Sequence, residues 1–164
     1  APGNQRKFAF ESFDFLDLSK LTVLREEVKD SVIKGKVEVY GSDVDEEVLG
    51  LCRVHAKTAG VFDHIEINRA DIKQALNGDP KGILVTNPPY AERMGEKKEV
   101  EVLYRKMGNI ISPLNGLKAF IISADMSFER FYGAKADKKR KLYNGSIKCN
   151  YYQYFRGKKT YFRN

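Results

Sequence analysis

Cysteine is nearly absent from this chain: Cys52 and Cys149 are its two thiols, far apart and without C-x-x-C spacing. That argues against a zinc site and against a fold held by disulfides, and points to a reducing compartment with both thiols buried and inert. His55 and His64 carry no ligand spacing either, so they read as packing or surface residues and no metal is expected. Long apolar runs are also missing. No stretch approaches the about 18 residues that a membrane-spanning helix needs, and no basic-then-apolar leader opens the sequence, so the expected location is cytoplasmic. Internal repeats, low-complexity tracts and interdomain linkers are absent from the pattern.

What remains is an ordinary globular composition. With 164 residues, 42% of them hydrophobic and 12% aromatic, the chain can bury one core, and a single domain over residues 1–164 is expected. Lys and Arg number 29 against 22 Asp and Glu, a surplus of +7 that favours encounter with polyanions such as nucleic acid.

The opening Ala1-Pro2-Gly3-Asn4 reads as a turn or exposed connection, followed by Phe8, Phe10, Phe13 and Phe15 without regular periodicity. Leu21, Leu24, Val28 and Val32 then recur at helical spacing, predicting a helix over residues 17–34 that Gly35 terminates. Residues 36–43 alternate and end on Asp43, as a strand entering a functional loop does. A second helix is predicted over 46–59, with Val48, Leu51, His55 and Ala59 on one face and Gly60 as its stop. A strand at 65–68 closes on Arg69-Ala70-Asp71, a short helix over 71–76 follows, and Asn77-Gly78-Asp79-Pro80 is a turn. The third strand, 82–86, leads into Asn87-Pro88-Pro89-Tyr90. Beyond a helix over 98–114, the run 118–123 is apolar enough to predict a strand buried on both faces. After a short helix near 127–132 comes the basic run Lys138-Lys139-Arg140-Lys141, and then Asn144-Gly145 between two strand-like runs, a hairpin signal. Strand-helix alternation with a terminal antiparallel pair implies an α/β sheet, mostly parallel.

The chemistry concentrates at the tetrapeptide. An Asn and two prolines at the carboxyl end of an apolar strand make a rigid corner carrying an amide and an aromatic ring, suited to a planar amino-bearing substrate; the alternative is a structural turn. Asp43 stands where Rossmann-like folds place a carboxylate on ribose hydroxyls, or else caps the next helix, for which Asp45 is better placed. Asp71 has the same two readings. Residues 138–141, interleaved with tyrosines, either grip RNA phosphate or form the polar side of a half-buried hairpin.

Taken in order, these pieces resemble the class I Rossmann-like methyltransferases, and more narrowly the bacterial 23S rRNA guanine-N2 methyltransferases that also carry an RNA-binding THUMP domain. The resemblance rests on the A-P-G and F-A-F-E opening, Tyr40-Gly41-Ser42-Asp43, Arg69-Ala70-Asp71, Asn87-Pro88-Pro89-Tyr90 with Glu92-Arg93-Met94-Gly95-Glu96, Leu103-Tyr104 and Leu142-Tyr143-Asn144-Gly145. Ala91 departs from the family's usual Gly.

The resemblance implies S-adenosylmethionine as cofactor, with Asp43 on its ribose and Ala70 and Asp71 at its adenine. It implies that Asn87 and the Pro88 carbonyl hold a guanine N2 amine, with Pro89 completing the rigid corner, while Tyr90 stacks on the base. Arg93 and residues 138–141 would then meet rRNA. No glycine-rich cofactor loop precedes the tetrapeptide. The expected partner is therefore an upstream segment with the family's first strand, that loop and the THUMP domain, this chain being a partial methyltransferase domain. Competing readings are adenine-N6 methylation of DNA, glutamine methylation of a protein, and a catalytically silent RNA-binding fragment.

Overall fold

Local signals set the helix boundaries. Asp45 accepts the backbone N–H groups of Glu47 and Val48 at 2.9 and 3.5 Å, opening a helix over Glu46–Thr58. Asp71 forms a reciprocal capping box with Gln74, each side chain bonding the other's backbone N–H at 2.9 Å. The computed structural model describes residues 6–31, 35, 38–90, 97–155 and 160–161, which group into two compact units, one up to Ala70 and one from Asp71.

In the first unit, helix α1 (Ser19–Asp30) lies inside the predicted 17–34 span and buries none of its residues. Arg25 ties it to the preceding segment through an ion pair with Glu11 at 2.7 Å. Strands β1 (Val39–Asp43) and β2 (Ile65–Arg69) pair in parallel, Val39 opposite Ile65 through Asp43 opposite Arg69. Their connection is α2 (Glu46–Thr58), which buries Leu49 and Ala56 and leaves Val48 and Leu51 exposed. The stripe expected from Val48, Leu51 and His55 is thus not the packed one. Two strands offer a narrow surface, and only residues two turns apart on a single line reach it. Cys52 on this helix is exposed and Cys149 is buried, so the expectation of two buried thiols holds for one.

The second unit is organised around tyrosines. After the short α3 (Ile72–Ala75), strands β3 (Gly82–Thr86), β4 (Leu117–Ser123), β6 (Lys138–Asn144) and β7 (Ile147–Tyr154) form a sheet in the order β3-β4-β7-β6. β3 and β4 are parallel, whereas β7 runs antiparallel to both β4 and β6. Helices α4 (Lys97–Ile111) and α5 (Phe128–Tyr132) contribute Tyr104, Met107, Ile111, Phe128 and Tyr132 to a core shared with Ala119, Ile121, Tyr152 and Tyr154. Phe128 is the hub: its ring lies 4.8 Å from Tyr104, edge-on, 5.2 Å from Tyr132 and 4.7 Å from Tyr152.

β4 is not buried on both faces as predicted. Leu117, Ala119, Ile121 and Ser123 face the core, while Lys118 is exposed and Phe120 and Ile122 are half-buried, because the described part of this unit covers one face of the sheet. On β3, Ile83 and Val85 are 70% and 72% exposed for the same reason. The basic run expected ahead of the hairpin is itself strand β6, and its loop is Gly145-Ser146, with Asn144 paired to Ile147. Two-residue strands β5 (Ala134–Lys135) and β8 (Thr160–Tyr161) make one more antiparallel pair, too short to carry a readable periodicity. No helix among the described residues is long and apolar enough to cross a membrane.

Two predictions follow from this packing. A Cβ at Gly108 would overlap the Tyr132 carbonyl, so α4 and α5 approach closely only because residue 108 has no side chain. Alanine elsewhere in a helix gains about 1 kcal/mol over glycine, but forcing a methyl against backbone costs about 3 kcal/mol. Gly108→Ala should therefore lower the urea midpoint. The second concerns alkali. Burial raises the pKa of Tyr104 and Tyr154 and pushes Tyr152 up to about 12, from an ordinary 10.0. The folded state keeps protons that the unfolded chain releases above about 10, so stability is level below that pH and falls as pH rises from 10 toward 12. Absorbance at 295 nm should show these three phenols ionising together with unfolding.

Candidate active site

β3 ends at Thr86, and the next four residues leave the sheet because two of them lack a backbone N–H. Pro88 is buried, Asn87 and Pro89 are exposed, Tyr90 is half-buried, and every peptide bond is trans. The corner is fastened from below. The Tyr104 hydroxyl lies 3.1 Å from the Pro89 carbonyl and 3.0 Å from Ser123 Oγ, and the Asp125 N–H donates to Ser123 Oγ at 3.1 Å. Proton bookkeeping settles the directions. A carbonyl only accepts, so Tyr104 donates to Pro89, and its oxygen accepts from the Ser123 hydroxyl. Burial raises the Tyr104 pKa and so keeps that donor in place. The Pro89 carbonyl is thereby taken, while the Asn87 amide stays exposed.

The ring of Tyr90 is held at its far end, where Asn144 Nδ2 donates to its hydroxyl at 3.0 Å. Ser123 and Asn144 were not singled out by the sequence reading. A hydroxyl ending an otherwise apolar strand was the available signal for Ser123. In sequence Asn144 reads as the start of an Asn-Gly turn, and its bond to Tyr90 spans 54 residues.

In the first unit, Asp43 closes β1 half-buried, with Oδ1 accepting the Asp45 N–H at 2.9 Å. Asp45, not Asp43, caps α2. Among the described residues, no protein group bonds the second oxygen of Asp43. The Ala70 N–H donates to the Asp43 carbonyl at 3.0 Å, and Arg69 Nε donates to the Val44 carbonyl at 3.0 Å, so the carboxyl ends of the two strands are cross-tied. A depression of about 410 Å³ lined by Val39, Tyr40, His64 and Ile65 opens at the opposite ends of these strands, where α/β sheets do not bind their ligands.

Asp71 opens the second unit. One oxygen caps Gln74 and the other receives Lys106 Nζ at 2.7 Å; Lys106 above all, with the Gln74 N–H, lowers the carboxyl pKa. The capping role is thus occupied, and a carboxylate retains lone pairs for one further donor.

The four basic residues 138–141 divide between uses. Lys139 points to the core side, paired with Glu129 at 2.6 Å and lying 5.6 Å above the Tyr152 ring. Lys138, Arg140 and Lys141 are exposed along β6. Arg93 lies outside the described residues.

The RMKL-like methyltransferase domain profile of the UPF0020 family matches residues 1–153. YpsC of Bacillus subtilis (strain 168) is 36% identical over 156 residues, 94% of this chain and 40% of that protein. Ribosomal RNA large subunit methyltransferase K/L of Shewanella oneidensis is 36% identical over 163 residues, 94% of this chain and 22% of that enzyme. The crystal structure of SMU.472 complexed with SAH superposes with a TM-score of 0.87 at 36% identity, covering 94% of this chain and 41% of that one. The chain therefore spans well under half the length of these relatives. A profile match over that span, joined to a superposition of this quality, makes the chain a member of the RMKL-like methyltransferase domain family.

Proposed function

We propose that this chain is the substrate-bearing part of an S-adenosylmethionine-dependent methyltransferase domain that methylates the exocyclic N2 amine of a guanine in 23S rRNA. The observation that supports the reading is the fastened corner: Tyr104 takes the Pro89 carbonyl, and the Asn87 side chain beside it stays exposed. The name of the Shewanella oneidensis relative supports an rRNA substrate, and the SAH in the SMU.472 crystal structure supports the cofactor class.

Each unit, taken by itself, carries residues whose chemistry fits part of that cofactor. Asp43 offers a carboxylate oxygen at a strand end for a ribose diol, and Asp71 can accept from an adenine amine beyond its bond to Lys106. The Ala70 N–H is already bonded to the Asp43 carbonyl, so an adenine ring nitrogen would compete for it. When bound, the cofactor supplies an electrophilic methyl on a sulfonium sulfur.

The chain's own contribution is positioning. The guanine N2 lone pair is delocalised into its ring, and the nitrogen must become pyramidal to attack. Asn87 Oδ1 and the Pro88 carbonyl accept its two N–H bonds and aim the lone pair, while Tyr90 stacks on a base splayed out of its helix. The released proton passes to water. Lys138, Arg140 and Lys141, with Arg93, meet RNA phosphates; Lys139 serves the fold first.

Residues 1–164 then form one partial domain of a cytoplasmic enzyme, completed by an upstream segment with a first strand, a glycine-rich loop and a THUMP domain. Among the described residues, β1 bonds only β2 and β3 bonds only β4, and an upstream strand would satisfy such open edges.

The test is methyl transfer by the full-length protein, followed by nucleoside analysis of the product RNA. N2-methylguanosine is expected; N6-methyladenine in DNA or methylglutamine in protein would overturn the assignment. Asn87→Ala should lower kcat about 10²–10³-fold with cofactor affinity retained. Tyr104→Phe, which keeps the ring but frees the Pro89 carbonyl, should lower it about tenfold. Calorimetry with S-adenosylmethionine should show binding by the full-length protein and not by residues 1–164 alone. Binding by neither would favour a silent RNA-binding role.

A further inference from the structure

Asn144 has no job in its own hairpin. The two-residue loop is Gly145-Ser146, and the left-handed conformation that such a loop requires is taken by Gly145 at φ +61°. Asn144 is a strand residue paired with Ile147, and Asp79 is the one non-glycine residue with positive φ among those described. A β-branched or aromatic residue would suit a strand end better. The Asn144 side chain is instead committed 54 residues away in sequence, to the hydroxyl of Tyr90 at 3.0 Å.

That bond acts at a sensitive place. The backbone entering Tyr90 is held through the Pro89 carbonyl by the buried Tyr104, and the far end of the ring is held by Asn144. With both ends held, swinging χ1 of Tyr90 breaks the Asn144 bond, and χ1 is the angle that would carry the ring away from a base resting on it. Without Asn144 the ring is tethered at one end and samples other rotamers at a half-exposed site.

We propose that Asn144 is a positioning residue: through the Tyr90 hydroxyl it fixes the aromatic platform on which the target base stacks. The inference rests on the reading of Tyr90 as that platform. It acts on the geometry of attack more than on RNA affinity, which is spread over the basic strand.

Steady-state methyl transfer by the full-length protein tests it with four variants. Asn144→Ala is expected to lower kcat about tenfold, with the KM for RNA changed less, through lost alignment of the reacting groups. Tyr90→Phe, which keeps the ring and deletes the hydroxyl, should give the same loss. The double variant should lose no more than either single one, because the two changes break one bond. Cofactor affinity and melting temperature should stay at parental values in all three. Parental kcat in Asn144→Ala, or losses that multiply in the double variant, would overturn the proposal. Tyr90→Ala separates the layers. If it abolishes transfer while Asn144→Ala and Tyr90→Phe keep parental kcat, the platform stands and the role of Asn144 falls. Parental activity in Tyr90→Ala would overturn both.

Discussion

The hydroxyl of Tyr104 is the point on which the second unit turns. Its ring is packed edge-on against Phe128 in the core, and its oxygen joins the Pro89 carbonyl, Ser123 and, through Ser123, the backbone at Asp125. A proline-rich corner has few donors of its own, so an outside donor must satisfy its carbonyls or water will. Because that donor belongs to a fully buried residue, the position of Asn87 and Tyr90 inherits the rigidity of the core. Tyr104 thus couples core packing to the position of the corner, and Tyr152 and Tyr154 tie down neighbouring segments in the same way. Tyr152 and Tyr154 place their hydroxyls on the Asp125 and Ala134 carbonyls, fixing the segment around α5 against the sheet.

A core rich in tyrosine carries a condition. A buried phenol needs a partner, and for Tyr104, Tyr152 and Tyr154 the partners are the Pro89, Asp125 and Ala134 carbonyls. The segments that carry those carbonyls are thereby tied to the core, the Asn87-Pro88-Pro89-Tyr90 corner among them. Gly108 belongs to the same arrangement. By letting α4 meet the end of α5 without a side chain between them, it brings Phe128 and Tyr132 onto the face of α4 that carries Tyr104.

Charge is arranged less uniformly than the net surplus suggests. Lys106 and Lys139 are both paired, with Asp71 and Glu129, and serve local structure. Lys138, Arg140 and Lys141 are exposed along β6, an edge strand whose like charges discourage pairing with a second sheet. Asp71 shows the reverse economy, since one carboxylate caps a helix and holds a lysine while keeping acceptor capacity.

Much of this was legible from local pattern. Asp45 as a cap, the strand before Asn87, the spacing of α4 and the family resemblance all depend on residues within a few positions of one another, where backbone preference and periodicity act directly. Other features were legible only in part. β4 read as buried on both faces because apolar residues fill both, yet burial depends on what covers the second face. The stripe on α2 read as a packed face, yet two strands reach only Leu49 and Ala56. The corner's composition was decided by sequence alone. Its fastening was decided by tertiary structure, since Tyr104 lies 15 residues from Pro89 and Asn144 lies 54 from Tyr90. Periodicity tells which side of a strand or helix a residue occupies. Which distant side chain stands opposite is set by sheet order and register: with Ser123 opposite Asn150, the hairpin tip at Asn144 and Ile147 runs past the carboxyl end of β4, the strand beside β3.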